Sequence, residues 1–245
     1  MSNDFVQAFT FIGDNHSYVL GRVWSHLEIS GIAVGIAVAI GLPIGIVLGH
    51  LHRLSFLAIN ISNLGRALPS LAILVIFLPI VGVGETDVII ALVILAFPPM
   101  LTNAYVAIDG VDPETVDAAK GIGLRPWQVL LRVELPLALP LIFAGVRTAV
   151  VFVIATATLS GFFGGGGLGD IISNEASFHL SGVIGGTYVL IALAFISQFV
   201  FLGLERAVTP TGLKLQARGF RSSTQTQVLL NEAGGNVAAE STDAA

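Results

Sequence analysis

The chain contains no cysteine in 245 residues, and only 11% of it is charged. The first absence excludes disulfides, thiolate metal sites and cysteine nucleophiles. The second excludes an ordinary soluble domain, in which about a quarter of residues carry charge. Aromatic residues are sparse at 8%, yet hydrophobic residues reach 54%, and mean hydropathy is +0.88. The apolar content is therefore aliphatic and abundant, as expected where lipid is the solvent. No basic cluster precedes the modest apolar stretch within Met1–Leu27, so this segment does not read as a cleaved signal peptide. The chain has no G-x-x-x-x-G-K-[ST] loop, and the glycine run Gly164–Gly169 lacks the lysine that would contact phosphates. His16, His26, His50, His52 and His179 are scattered, which predicts no metal site. His50 and His52 flank a helix end, where a role at the membrane surface is expected.

What is present is a series of apolar runs long enough to cross a hydrocarbon core, which takes about 20 helical residues. The runs predict an all-α polytopic membrane protein with about five transmembrane helices, near Glu28–Gly49, Ser55–Val83, Asp87–Ile108, Leu137–Phe163 and Gly182–Leu204. Gly31, Gly35, Gly41, Gly45 and Gly49 give the first span a small-residue face suited to close helix packing. The second is interrupted by Asn60, Asn63, Arg66 and Pro69, and Pro98-Pro99 should kink the third. Residues 1–27 form an N-terminal extracytoplasmic segment, 28–207 the transmembrane domain with a loop over 109–136, and 208–245 a tail too polar and too poor in aromatics to fold.

Lysines and arginines fix the orientation. Arg53, Arg66, Lys120, Arg125, Arg132, Arg206, Lys214, Arg218 and Arg221 all fall on one side of the five-span arrangement, which is the cytoplasm, and Arg22 alone lies opposite. Within the expected spans there is no interior aspartate or glutamate, and Arg147 is the one internal charge, about 16 Å along the fourth helix from Pro136. It should bond neighbouring groups at a helix interface. That distribution argues against an ion-coupled secondary transporter, and no serine–histidine or paired-aspartate set supports an intramembrane hydrolase.

The segment Val111–Pro140 is too polar for membrane and too patterned for a linker. Asp112 can cap a helix, Pro113 suits its first position, and Glu114 complements the positive end of the helix dipole. Gly121 and Gly123 interrupt that helix, and Pro126 can start another bearing Trp127, Val129, Leu130 and Val133. Physically this is a helix-turn-helix on the membrane surface, which an ordinary amphipathic connector would also satisfy.

Asp117-Ala118-Ala119, followed by Gly123 and then Val133-Glu134-Leu135-Pro136, resembles the EAA loop of ABC importer permeases, with aspartate for the usual glutamate and valine for the usual isoleucine. Arg66-Ala67-Leu68-Pro69-Ser70-Leu71, Ala96-Phe97-Pro98-Pro99 with Asn103, Ala144–Ala149 and Gly166–Asp170 resemble the osmoprotectant branch of that family, which carries glycine betaine, carnitine or choline. The resemblance implies the type I importer (MetI-like) permease fold, a place in the bacterial cytoplasmic (inner) membrane, and no catalytic residues. It implies an ATPase-coupling loop at Asp117, Ala118, Ala119, Gly121, Gly123 and Pro136, and pathway or gate positions at Arg66, Pro98, Pro99, Asn103 and Arg147. The partners it implies are cytoplasmic ATPase subunits holding ATP and Mg, a second permease, an extracytoplasmic substrate-binding protein and the bilayer, with no nucleic acid. This chain would bind no cofactor. Methionine, ergothioneine and other amino-acid-derived solutes stay open as substrates.

Overall fold

Two helices of the computed structural model lie backbone against backbone, and their contact is set by glycine. Gly45 sits in the long helix α2 (His16–His50), and a Cβ there would meet Ala104 Cβ at 2.7 Å and the Leu101 carbonyl of α4 (Glu85–Asp109). Gly41 and Gly49 make the same close approach along one face. Gly31 and Gly35, expected on that face, have nothing within 4 Å among the described residues, so only the C-terminal half of the glycine stripe packs there.

The structure describes residues 2–52, 56, 60 and 68–209. In chain order the remaining elements are α1 (Ser2–Asp14), α3 (Ser70–Val81), α5 (Pro113–Gly121), α6 (Pro126–Val129), a π turn (Leu130–Glu134), α7 (Leu135–Thr156), a 3-10 turn (Ala157–Phe162), α8 (Gly169–Ile172) and α9 (Glu175–Val208). Contacts separate residues 1–207 from 208–245. The expectation of an unfolded tail falls outside the described residues, as does Arg66.

Among the described residues four helical stretches are long and apolar enough to span, namely His16–His50, Glu85–Asp109, Pro126–Phe162 and Glu175–Val208. The expected second span is represented by the 12-residue α3, with most of the segment ahead of it outside the described residues. The first spanning helix starts at His16 rather than near Glu28, and at 35 residues it is about 52 Å long, beyond the roughly 30 Å hydrocarbon core. The last runs to Val208 instead of Leu204, broken at His179, whose φ of 56° interrupts the helical backbone.

The largest departure from the sequence reading concerns the fourth span. Pro136 was expected to end a surface loop, yet one helical stretch runs from Pro126 to Phe162. The π turn explains it. Proline at 136 has no N–H and its ring crowds the preceding turn, and here the turn widens so that Leu135 N–H donates to the Leu130 carbonyl, five residues back. The core at the centre of the bundle is built of Ile29, Ala33, Ala37, Leu92, Leu95, Met100, Ile142, Ala149, Val153 and Ile154 from α2, α4 and α7.

The two ends of the bundle carry separate polar contacts. At one, Arg22 pairs with Asp170 at 2.5 Å and lies over the Tyr18 ring at 4.9 Å. At the other, His50 meets Glu134 and His52 meets Asp109. The glycine run turns tightly at the Arg22 end, with positive φ at Gly164, Gly166 and Gly167, and Gly167 packs on the buried His26.

Candidate functional site

The segment after α4 starts with a capped helix. Asp112 accepts from the backbone N–H of Glu114 and of Thr115, both at 3.3 Å, and from the Thr115 hydroxyl at 2.8 Å. The Thr115 hydroxyl first, then the Glu114 N–H, holds its carboxyl below the usual aspartate range. The cap is thus ionised at neutral pH, and its contribution is lost only as pH falls through that lowered value.

Helical periodicity then sorts the motif. Val116 and Ala119 are buried on the inner face, whereas Asp117, Ala118, Gly121 and Ile122 are exposed. The sequence reading put both alanines on the docking surface. Ala119 instead ties the helix to its own membrane domain, because positions three apart share a face with Val116. Asp117 pairs with Lys120 at 3.1 Å on the exposed surface. Gly123 has φ 89°, and a Cβ at that position would have nothing within 4 Å, so its requirement is conformational rather than steric. Gly121 closes α5 without a positive φ. Beyond the turn, Arg125 N–H donates to Gln128 Oε1 at 2.8 Å and Pro126 opens α6. Pro136 lies in the first turn of α7, away from the exposed turn and partly buried.

A cleft of about 500 Å³ opens between α3, α4 and α7, lined by Ser70, Leu95, Pro99, Asn103, Thr148 and Phe152 among others. Among the described residues its lining carries no charge. Asn103 Nδ2 donates to the Pro99 carbonyl at 2.7 Å, and the Asn103 side chain lies where a Cβ on Gly145 of α7 would be, 2.7 Å from its Cγ. Two of the expected pathway residues, Pro99 and Asn103, therefore meet in one cleft, while Pro98 is buried in α4.

Arg147 does not line the cleft. It pairs with Glu205 of α9 at 3.1 Å, both about one-fifth exposed. The expectation that the spans hold no interior carboxylate is corrected here, since α9 carries its helix past Leu204 to include Glu205, and Asp87 is buried in the first turn of α4. Among the described residues no group of three or more histidine or acidic side chains is placed to hold a metal ion.

Several membrane-spanning helices, a cleft between them and an exposed helical turn at one end are the architecture of a polytopic transport component. The family described as the binding-protein-dependent transport system inner membrane component matches residues 41–210, and this chain belongs to that family. It is 39% identical over 209 residues to the glycine betaine/carnitine/choline transport system permease protein OpuCB of Bacillus subtilis (strain 168), spanning 85% of this chain and 96% of that one. The choline transport system permease protein OpuBB of the same organism is also 39% identical, over 83% of this chain and 94% of its own length. A solved inward-facing form of the MetNI methionine ABC transporter shares the fold, with TM-score 0.69 and 23% identity over 78% of this chain and 96% of that one. The chain is thus an inner-membrane permease component, working with a substrate-binding protein and an ATPase as its family does.

Proposed function

We propose that this chain forms half of the translocation pathway of an ATP-driven importer for small quaternary-ammonium osmoprotectants such as glycine betaine, carnitine and choline. The observation that carries this reading is the exposed turn after α5. A capped helix and a left-handed glycine present Asp117, Ala118, Gly121 and Ile122 outward, and Ile122 is 81% exposed. An apolar side chain held out from a rigid turn suits burial in a groove on a partner, here the cytoplasmic ATPase subunit, which would hold ATP and Mg.

The cleft supplies the pathway wall. Its amide and hydroxyl groups and the half-exposed Phe152 ring can face a zwitterion or cation. A second permease, identical or homologous, would supply the other half of the pathway. Pro98 and Arg147 support this wall from behind, Arg147 by fastening α9 to α7. The solute class follows the relatives at 39% identity; the methionine transporter shares only the fold.

The test is uptake into proteoliposomes by the complex assembled with its ATPase and binding protein. ATP-dependent accumulation of glycine betaine, carnitine or choline, without methionine accumulation, is the expected result. Methionine uptake, or osmoprotectant uptake driven by an ion gradient without ATP, would overturn the reading.

A further inference from the structure

The coupling segment connects by chain to α4 on one side and α7 on the other, but not to α2. Motion received at the exposed turn reaches α4 through Asp109–Asp112 and α7 through the helix from Pro126. The C-terminal end of α2 meets this segment through side chains. His50, its last residue, places Nδ1 2.6 Å from Glu134 Oε2. A carboxylate accepts, so the imidazole Nδ1–H donates.

Two features separate this contact from an incidental surface pair. The Glu134 side chain is 2% exposed, and an acid buried to that degree needs a charged or hydrogen-bonding partner. His50 is the partner the structure provides. Glu134 also closes the π turn, where the surface helix becomes the membrane helix, and widened turns of this kind recur at functional positions. The neighbouring His52–Asp109 pair, at 2.8 Å, joins the same helix end to α4 but is 52% and 38% exposed, so solvent and salt screen it. Among the described residues, the charged or titratable groups on the elements that meet here are His50 of α2, His52 just beyond it, Tyr105 and Asp109 of α4, and Arg132 with Glu134 of the π turn.

We propose that the partly buried His50–Glu134 pair positions α2 on the coupling segment, so that displacement of the exposed turn moves α2 together with α7. Gly41, Gly45 and Gly49 lock α2 to α4, so the pair completes a closed linkage of α2, α4 and α7 around the coupling segment. The two residues act through helix position, and neither touches solute. This inference rests on the ATP-driven import reading above.

The experiment compares wild type, His50→Ala, Glu134→Gln, the double variant and His52→Ala in proteoliposomes with ATPase and binding protein. Solute moved per ATP hydrolysed is measured for each assembled complex. Both single variants should lower that ratio at least tenfold with hydrolysis retained, the double variant should be no worse than the poorer single one, and His52→Ala should stay near wild type. A merely structural pair would reduce the amount of assembled complex and leave the ratio unchanged. An unchanged ratio in both single variants, or losses that multiply in the double variant, would overturn the proposal. A wild-type complex without ATP-driven uptake would instead fail the import reading itself.

Discussion

Gly123→Val should cut uptake roughly 10- to 100-fold while the chain still inserts at near-normal levels. Its φ of 89° is a region that side-chain-bearing residues rarely adopt, and holding one there costs about 1–3 kcal/mol, with a β-branched residue worst placed. At about 1.4 kcal/mol per factor of ten, the turn then spends most of its time in another shape. Among the described residues nothing lies within 4 Å of the added Cβ, so the spans described feel no clash. That separates two reasons for the glycine. Asparagine tolerates positive φ, so Gly123→Asn should recover most activity if conformation is the requirement. Failure of both would place the requirement in the docked ATPase. Wild-type uptake by Gly123→Val would show that the turn couples nothing. The measurement is solute uptake normalised to permease in the membrane.

Gly45→Val should have the larger effect on the protein itself. Its Cβ would meet Ala104 Cβ at 2.7 Å and Tyr105 N at 3.1 Å, besides the Leu101 carbonyl. Two of these obstacles are backbone and cannot rotate away, so the whole α2–α4 contact must separate. Overpacking costs about 1–3 kcal/mol where neighbours can relax, and here the upper end applies, because the glycine stripe is continuous from Gly41 to Gly49. Folded permease recovered in mild detergent should fall by at least tenfold. Gly35→Ala, with nothing within 4 Å, should change recovery by no more than about twofold. Equal recovery of the two variants would show that the stripe does not hold these helices together.

The local rules were legible in the sequence and the distant pairings were not. Asp112, Pro113 and Glu114 marked the start of α5, and each signal acts within one turn. Gly123 was marked by its residue type and its place between two helical patterns. The partners of His50 and Arg22 lie 84 and 148 positions away, and no periodicity links an isolated polar residue on one membrane helix to another so distant. Arg147 was visible as an internal charge, but Glu205 stood just beyond the expected end of its span, because α9 extends its helix past the apolar run. Pro136 misled for a similar reason. Proline is a sound stop signal for a regular helix, and the π turn from Leu130 to Glu134 removes the conflict that would have stopped this one. Within Asp117-Ala118-Ala119, the motif did not reveal that Ala119 faces inward; the 3.6-residue period from Val116 did carry that information.

The central claim is that the turn after α5 is where the ATPase attaches, and the absence of native cysteine allows it to be tested directly. Ile122→Cys puts a single thiol on the exposed turn, and Thr86→Cys puts one at the opposite end of the bundle. A short bifunctional thiol reagent is applied to each variant in membranes, with an ATPase subunit carrying cysteines along the rim of its permease-facing groove. Covalent linkage of permease to ATPase from Ile122→Cys and none from Thr86→Cys is the expected result. Linkage from Thr86→Cys, or none from Ile122→Cys in a complex that still transports, would contradict the account.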